Sequence, residues 1–181
     1  MTGAPGYYGK VVTRGDFVQR RLPADFVAKW DRWLQAGLIN SRLALGEGWR
    51  DIYLNCPMWR FALGPGLCGA NGMAGVLVPG VDRVGRYFPL TLAAPVRAVP
   101  ESAWYAALEG MALDSVEPGF SLAALDAALV RLGPAPVPPH AQPLGGSAFW
   151  TSQTMDCGPL CKVFCGLPGV DAFRALLAGQ G

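Results

Sequence analysis

Arg50-Asp51-Ile52-Tyr53-Leu54, Trp59-Arg60-Phe61-Ala62-Leu63, Met73-Ala74-Gly75-Val76-Leu77-Val78-Pro79 and Arg86-Tyr87-Phe88-Pro89-Leu90-Thr91-Leu92 are four short apolar stretches in succession, set apart by Gly, Pro and Asn clusters that mark turns. Each reads as a strand, and strands that follow one another at such short spacing pair antiparallel. The connection Gly64-Pro65-Gly66-Leu67-Cys68-Gly69-Ala70-Asn71-Gly72 is glycine-rich. It lacks both the Lys-Ser/Thr ending of a phosphate loop and a GxGxxG run between strand and helix, so it reads as a plain connection.

Outward from these strands the period changes. Over Pro23–Leu38, Phe26, Val27, Trp30, Trp33, Leu34 and Leu38 fall on one stripe of a helix, with Lys29, Asp31, Arg32 and Gln35 opposite. Pro23 suits the first helical position and Asp25 the positive end of the helix dipole. Tyr7–Val12 precedes it as a short strand, followed by an Arg14-Gly15-Asp16 turn. Downstream, Pro100–Leu113 predicts a helix with Trp104, Tyr105, Leu108, Met111 and Ala112 inward. Ser121–Leu132 predicts another, capped by Ser121 and stopped by Gly133. Residues 133–143, with five prolines and the only histidine, His140, read as an extended, exposed linker inside one domain that spans 1–181. Ala148–Ser152 and Leu160–Gly166 add two strands, and Pro168–Ala178 a last helix. Helices interleave with about six or seven strands, which gives an α/β sheet covered on both faces.

Composition narrows the function. The chain has 181 residues with 15 basic and 13 acidic side chains, too near balance and too free of charge runs for a polyanion-binding surface, so nucleic acid is not an expected partner. Hydrophobic residues make up 51% and charged ones 15%, which implies a large core or an interface. No apolar run approaches the ~20 residues of a membrane span, and Lys10 and Arg14 break up any leader-like stretch, so a cytoplasmic protein without membrane insertion is expected. The five cysteines do not read as a disulfide framework. Cys157, Cys161 and Cys165 recur every fourth residue, but Gly158 and Pro159 interrupt the spacing and Leu160–Cys165 alternates like a strand. That pattern predicts Cys161 and Cys165 as small buried side chains on one face, with no metal and no cofactor.

Catalysis has little to start from. The single His lies in the proline-rich stretch, GxSxG and HExxH are absent, and the carboxylates are scattered, so no enzyme activity is expected. The contrary reading is a small cysteine hydrolase or nucleotide-binding enzyme using Cys68. Charge instead points to binding: nine of the twelve Arg residues lie before residue 91. Arg14, Asp16, Arg20, Arg21, Asp82, Arg83 and Arg86 form a candidate polar patch. It either docks an acidic partner surface or locks two turns together through internal pairs with Asp16, Asp25 and Asp82.

Several segments carry a resemblance. Gly6-Tyr7-Tyr8-Gly9-Lys10, Arg14-Gly15-Asp16-Phe17-Val18, Arg20-Arg21-Leu22-Pro23 and Trp30-Asp31-Arg32-Trp33-Leu34-Gln35 open the chain. Trp59-Arg60-Phe61, Pro65-Gly66, Cys68-Gly69 and the run from Gly75 to Leu90 through Asp82-Arg83-Val84-Gly85-Arg86 form its centre. Ser147-Ala148-Phe149-Trp150-Thr151 and Gly166-Leu167-Pro168 close it. Together these resemble the TagF family, accessory proteins of bacterial type VI secretion. Two positions depart from the family pattern: Phe149 stands where a Trp is expected and Gly80 where a Ser is expected. The resemblance implies a three-layer α/β domain and a cytoplasmic, post-translational repressor of type VI secretion. It would bind the forkhead-associated scaffold protein of the apparatus and keep it from supporting assembly, apart from the threonine-phosphorylation switch. Some members are fused to a protein phosphatase, and this chain would be a stand-alone form. A structural accessory subunit of the apparatus is the remaining alternative.

Overall fold

A computed structural model describes residues 3–141, 144–151 and 159–180. Seven strands form one sheet, antiparallel throughout: β1 (Gly6–Gly9), β2 (Val18–Arg20), β3 (Trp59–Leu63), β4 (Gly72–Val78), β5 (Leu90–Val96), β6 (Ser147–Thr151) and β7 (Leu160–Phe164). Their order across the sheet is β2-β1-β5-β4-β3-β6-β7. The helices are α1 (Ala24–Leu45), α2 (Trp49–Leu54), α3 (Ser102–Asp114), α4 (Leu122–Leu132) and α5 (Val170–Leu177).

Successive residues of the central strands serve opposite faces. In β4, Met73 and Leu77 join the core under α1, α2 and α5, while Ala74, Val76 and Val78 join the core under α3 and α4. Burial on both sides is why β4 and β5 read as continuous apolar runs without alternation. The three-layer α/β expectation therefore holds.

The strand count of seven comes out right for partly different reasons. Arg50–Leu54 is not a strand but most of α2, because Trp49 and Tyr53, four apart, turn inward together and stack at 4.9 Å. Including Trp49 in the window exposes the helical period that Arg50–Leu54 alone conceals. The seventh strand is instead the three-residue β2. The last of the four opening stretches begins its pairing at Leu90, not Arg86. Pro89 has no N–H to donate, and Arg86–Phe88 folds back on Gly80–Asp82 through the Val81–Tyr87 bridge and a Phe88 N–H to Gly80 carbonyl bond of 3.0 Å. Pro95 is carried near the end of β5, opposite Met73.

Helix α1 starts as expected, with Pro23 one position earlier, at the cap, and runs past Leu38 to Leu45. The stripe hides this extension because Ile39 and Leu43 face solvent. Gly37 lies where α5 crosses: a Cβ there would come within 2.5 Å of the Phe173 ring, so glycine sets the closeness of the two helices. Ser121 Oγ accepts the Ala124 N–H at 3.3 Å, and Gly133 ends α4 at φ 73°, both as the sequence implies. Ala135, in the proline-rich segment, is buried against the α3–α4 core, so that stretch is not wholly exposed; His140 is. Cys161 and Cys165 are exposed, contrary to the burial expected of them, because β7 is the outermost strand and α3 and α4 do not extend over it. Cys157 lies outside the described residues. Among the described residues no helix is long and apolar enough to cross a membrane.

Candidate functional site

Asp82 organises the region that the sequence singles out. Its side chain is fully buried and all its acceptor directions are used. Oδ1 takes the N–H groups of Val84 (3.0 Å) and Arg86 (2.9 Å). Oδ2 takes Lys10 Nζ at 2.6 Å and Arg86 Nε at 2.7 Å. Burial alone would raise the carboxyl, but the bonds from Lys10, Arg86 and Val84 outweigh it and hold the group well below the usual carboxylate range. The same cluster ties two turns together: the Arg83 N–H bonds the Arg14 carbonyl at 2.9 Å, and the Arg86 guanidinium bonds the Gly15 carbonyl. Lys10 Nζ also lies 5.1 Å over the Phe17 ring, which packs edge-on to Phe88 at 4.7 Å.

Gly80 precedes the knot. Tyr53 Oη donates to its carbonyl and accepts its N–H, both at 2.9 Å, and a Cβ at this position would lie 2.4 Å from the Phe88 carbonyl oxygen. The backbone here thus accommodates the Gly that stands in place of the expected Ser. Phe149, standing in place of a Trp, is fully buried, 6.5 Å from Trp30 and parallel to it.

The seven candidate residues do not form one patch. Arg20 and Arg21 turn toward α4 and share Asp126, at 3.4 Å and 2.5 Å, with Arg21 held at φ 59° and its Nε on the Pro5 carbonyl. Their partner is thus an acidic residue outside Asp16, Asp25 and Asp82. Asp25 instead accepts the N–H groups of Phe26 and Ala70, pinning the glycine-rich loop to the start of α1, and these bonds lower its pKa. Arg14, Asp16 and Arg83 line an open groove with Thr13, Phe17 and Leu122. Among the described residues neither Arg14 nor Arg83 forms an ion pair. The geometry divides the roles: Asp82 and Arg86 with Lys10 lock the turns, and Arg14 and Arg83 present free guanidinium groups from them. Lys10 and Asp126 were invisible as partners, being 72 residues from Asp82 and 105 from Arg21. Only the rule that buried charge is paired points toward such residues, and it names none.

Cys68 sits in the β3–β4 connection but is buried in the α1-side core. Burial pushes its thiol up to about 11, with Lys29 opposing only weakly, which disfavours the thiolate that a nucleophile needs. Cys68 is therefore expected to react with iodoacetamide at pH 7 on the order of a hundredfold more slowly than exposed Cys161 or Cys165. Peptide mass spectrometry of partly labelled native protein checks this. Labelling of Cys68 as fast as the exposed thiols would restore the cysteine-enzyme reading.

Comparison with known proteins agrees with this architecture. The crystal structure of PA0076 from Pseudomonas aeruginosa PAO1 superposes with a TM-score of 0.87 at 35% identity, over 98% of this chain and 96% of that one. No curated protein matches the chain. The family model described as the TagF N-terminal domain, type VI secretion system-associated, matches residues 6–132, from β1 to the end of α4 and so across both turns and the Asp82 knot. The chain belongs to the TagF family of type VI secretion-associated proteins.

Proposed function

We propose that this TagF-family chain is a post-translational repressor of bacterial type VI secretion. It acts in the cytoplasm by docking on the forkhead-associated scaffold protein of the apparatus and withholding it from assembly, without transforming a substrate. The supporting observation is the pair of free guanidinium groups, Arg14 and Arg83, carried on turns that the buried Asp82 cluster holds rigid. Because the turns are already held, binding has to order only the two exposed side chains and not the backbone that carries them, and Arg offers planar two-point bonds to carboxylates of a partner. Asp16 on the same rim adds an acceptor that favours a partner of mixed charge over a polyanion.

The test is binding of the purified scaffold protein to wild type and to Arg14→Glu/Arg83→Glu. Among the described residues neither side chain supports an internal ion pair, so the thermal transition should stay within a few degrees of wild type, as is usual for surface changes. The dissociation constant should rise about tenfold or more, and its dependence on salt should flatten. A folded variant that binds with unchanged affinity and salt dependence overturns this docking site. Deletion of the gene should raise effector export; unchanged export overturns the repressor role itself. Arg86→Glu is not a suitable probe, because it places a second carboxylate against Asp82 and disturbs the fold.

A further inference from the structure

Helix α1 carries apolar side chains on two faces, and only one face is covered. Phe26, Trp30, Leu34 and Leu38 enter the core, while Ile39 (60% exposed) and Leu43 (79% exposed) stand on the opposite side, one turn apart. Arg32 and Ala36 fall on the same outer stripe at a period of 3.6. Ile39 and Leu43 border an open groove of about 340 Å³ whose floor includes Leu38, Trp49 and Tyr87, and the Arg42 guanidinium lies 4.2 Å over the Trp49 ring. Contiguous exposed apolar surface beside a recess marks an interaction site. The charge here is one-sided. Arg32 and Arg42 are exposed, and among the described residues neither forms an ion pair. The neighbouring Asp31 carboxylate is already used, Oδ1 by the Tyr8 hydroxyl at 2.5 Å and Oδ2 by Gln35 Nε2 at 2.7 Å. Glu47 lies past the end of α1 and does not line the groove.

We infer that this face of α1 seats an acidic amphipathic helix of the scaffold protein, with its apolar stripe on Ile39, Leu43 and the groove and its flanking carboxylates on Arg32 and Arg42. The inference rests on the scaffold docking proposed above and adds a second contact to it. The two surfaces are continuous: Phe17, which lines the Arg14–Arg83 groove, stacks on Tyr8 at 5.6 Å, and Tyr8 reaches Gln35 on the α1 groove through Asp31. Gln35, Ile39 and Leu43 form one i±4 ridge, the feature that a second helix packs against, and the small Ala36 leaves room for its axis. A helix laid in a groove is anchored by apolar side chains that enter it, and a bilayer surface offers no such protrusion. Two aliphatic side chains also bury less than a single acyl chain, which itself holds a protein on a membrane only marginally.

The experiment measures binding of the purified scaffold protein to the full chain at low and at high salt. Ile39→Gln/Leu43→Gln removes apolar contact and should raise the dissociation constant about tenfold or more, by a similar factor at both salts. Arg32→Glu/Arg42→Glu should weaken binding mainly at low salt, where charge is least screened. Both variants change exposed side chains, so their thermal transitions should stay within a few degrees of wild type. In the complex, hydrogen exchange of the scaffold should slow over one continuous segment of about three turns with Asp or Glu on both sides of an apolar stripe. If wild type binds the scaffold and either variant binds equally well at low salt, or if the protected segment has no such stripe, the inference is overturned and the docking proposal stands. If wild type does not bind the scaffold, both are overturned. Sedimentation with vesicles of phosphatidylcholine and phosphatidylserine should leave the chain in the supernatant. Pelleting that Ile39→Gln/Leu43→Gln abolishes would assign the face to lipid and overturn the inference as well.

Discussion

Asp82→Asn is expected to destabilise the fold by about 3–5 kcal/mol, because it removes the negative member of a buried charge cluster and leaves Lys10 in place without it. The Lys10 side chain is 7% exposed and that of Asp82 is 0% exposed, so neither can turn to water without opening the turn. For a chain of this length the thermal midpoint should fall by on the order of 10 °C. Lys10→Met should cost less, since Asp82 would keep the Arg86 guanidinium and two backbone N–H groups. The sign of the pH dependence follows from the depressed carboxyl. Its folded pKa lies below the ordinary Asp value near 3.9, so the stabilisation is fully present at neutral pH. It begins to fade as the unfolded chain takes up the proton below about pH 4, and is gone once the folded group also protonates. Wild type should therefore lose stability over that acid range more steeply than Asp82→Asn, and urea unfolding at pH 7 and pH 3 measures the difference. Equal stability of Asp82→Asn and wild type at pH 7 would show that the cluster does not hold the turns.

Scaffold binding then reports on the link from fold to function. If Asp82 and Arg86 only position Arg14 and Arg83, Asp82→Asn weakens docking through the loosened turn, whereas Arg14→Glu/Arg83→Glu weakens it with the turn intact. The two variants separate positioning from contact because only the first should also shift the thermal transition.

Different physical signals explain why some of this was legible in sequence. Long-range order with a strong period was easy: the Phe26–Leu38 stripe and the Ser121 and Gly133 caps marked α1 and α4, since burial of one face and capping are local requirements. Short elements were harder. Six-residue α2 and three-residue β2 are held by tertiary contacts, Trp49 donating to Ser41 Oγ at 2.9 Å and β2 pairing with β1, which no local window contains. Likewise, the local pattern identified Asp82 and Arg86 as special but not their partner Lys10. It grouped Arg20 and Arg21 with them because all are arginines near turns, whereas the fold sends those two to Asp126. Cys161 and Cys165 were misjudged because alternation gives the face of a strand but not whether a helix covers it.

Trp30→Ala is the second large effect, expected to cost about 3–5 kcal/mol. The side chain is 0% exposed and lies at the centre of the α1-side core, with ring centroids 4.6 Å from Trp33, 4.8 Å from Phe61 and 5.5 Å from Phe26. Removing it leaves a cavity walled by rings on several elements, which cannot all close in together. Its Nε1 also donates to Thr91 Oγ1 at 2.8 Å, joining α1 to the central strand β5 by a fully buried hydrogen bond. Trp30→Phe separates the two contributions: most of the packing stays, and the loss should fall to about 1–3 kcal/mol, much of it from the unmet Thr91 hydroxyl. Thr91→Val removes that hydroxyl, so Trp30→Phe/Thr91→Val should be more stable than the sum of the single changes implies, with a coupling of about 0.5–3 kcal/mol. Trp33→Ala should be milder than Trp30→Ala, since Trp33 is only partly buried, although it too loses a hydrogen bond, to the Pro168 carbonyl. Urea unfolding followed by far-ultraviolet circular dichroism gives the stabilities of all five variants. Strict additivity of Trp30→Phe and Thr91→Val would show that the buried bond contributes nothing to docking α1 on the sheet.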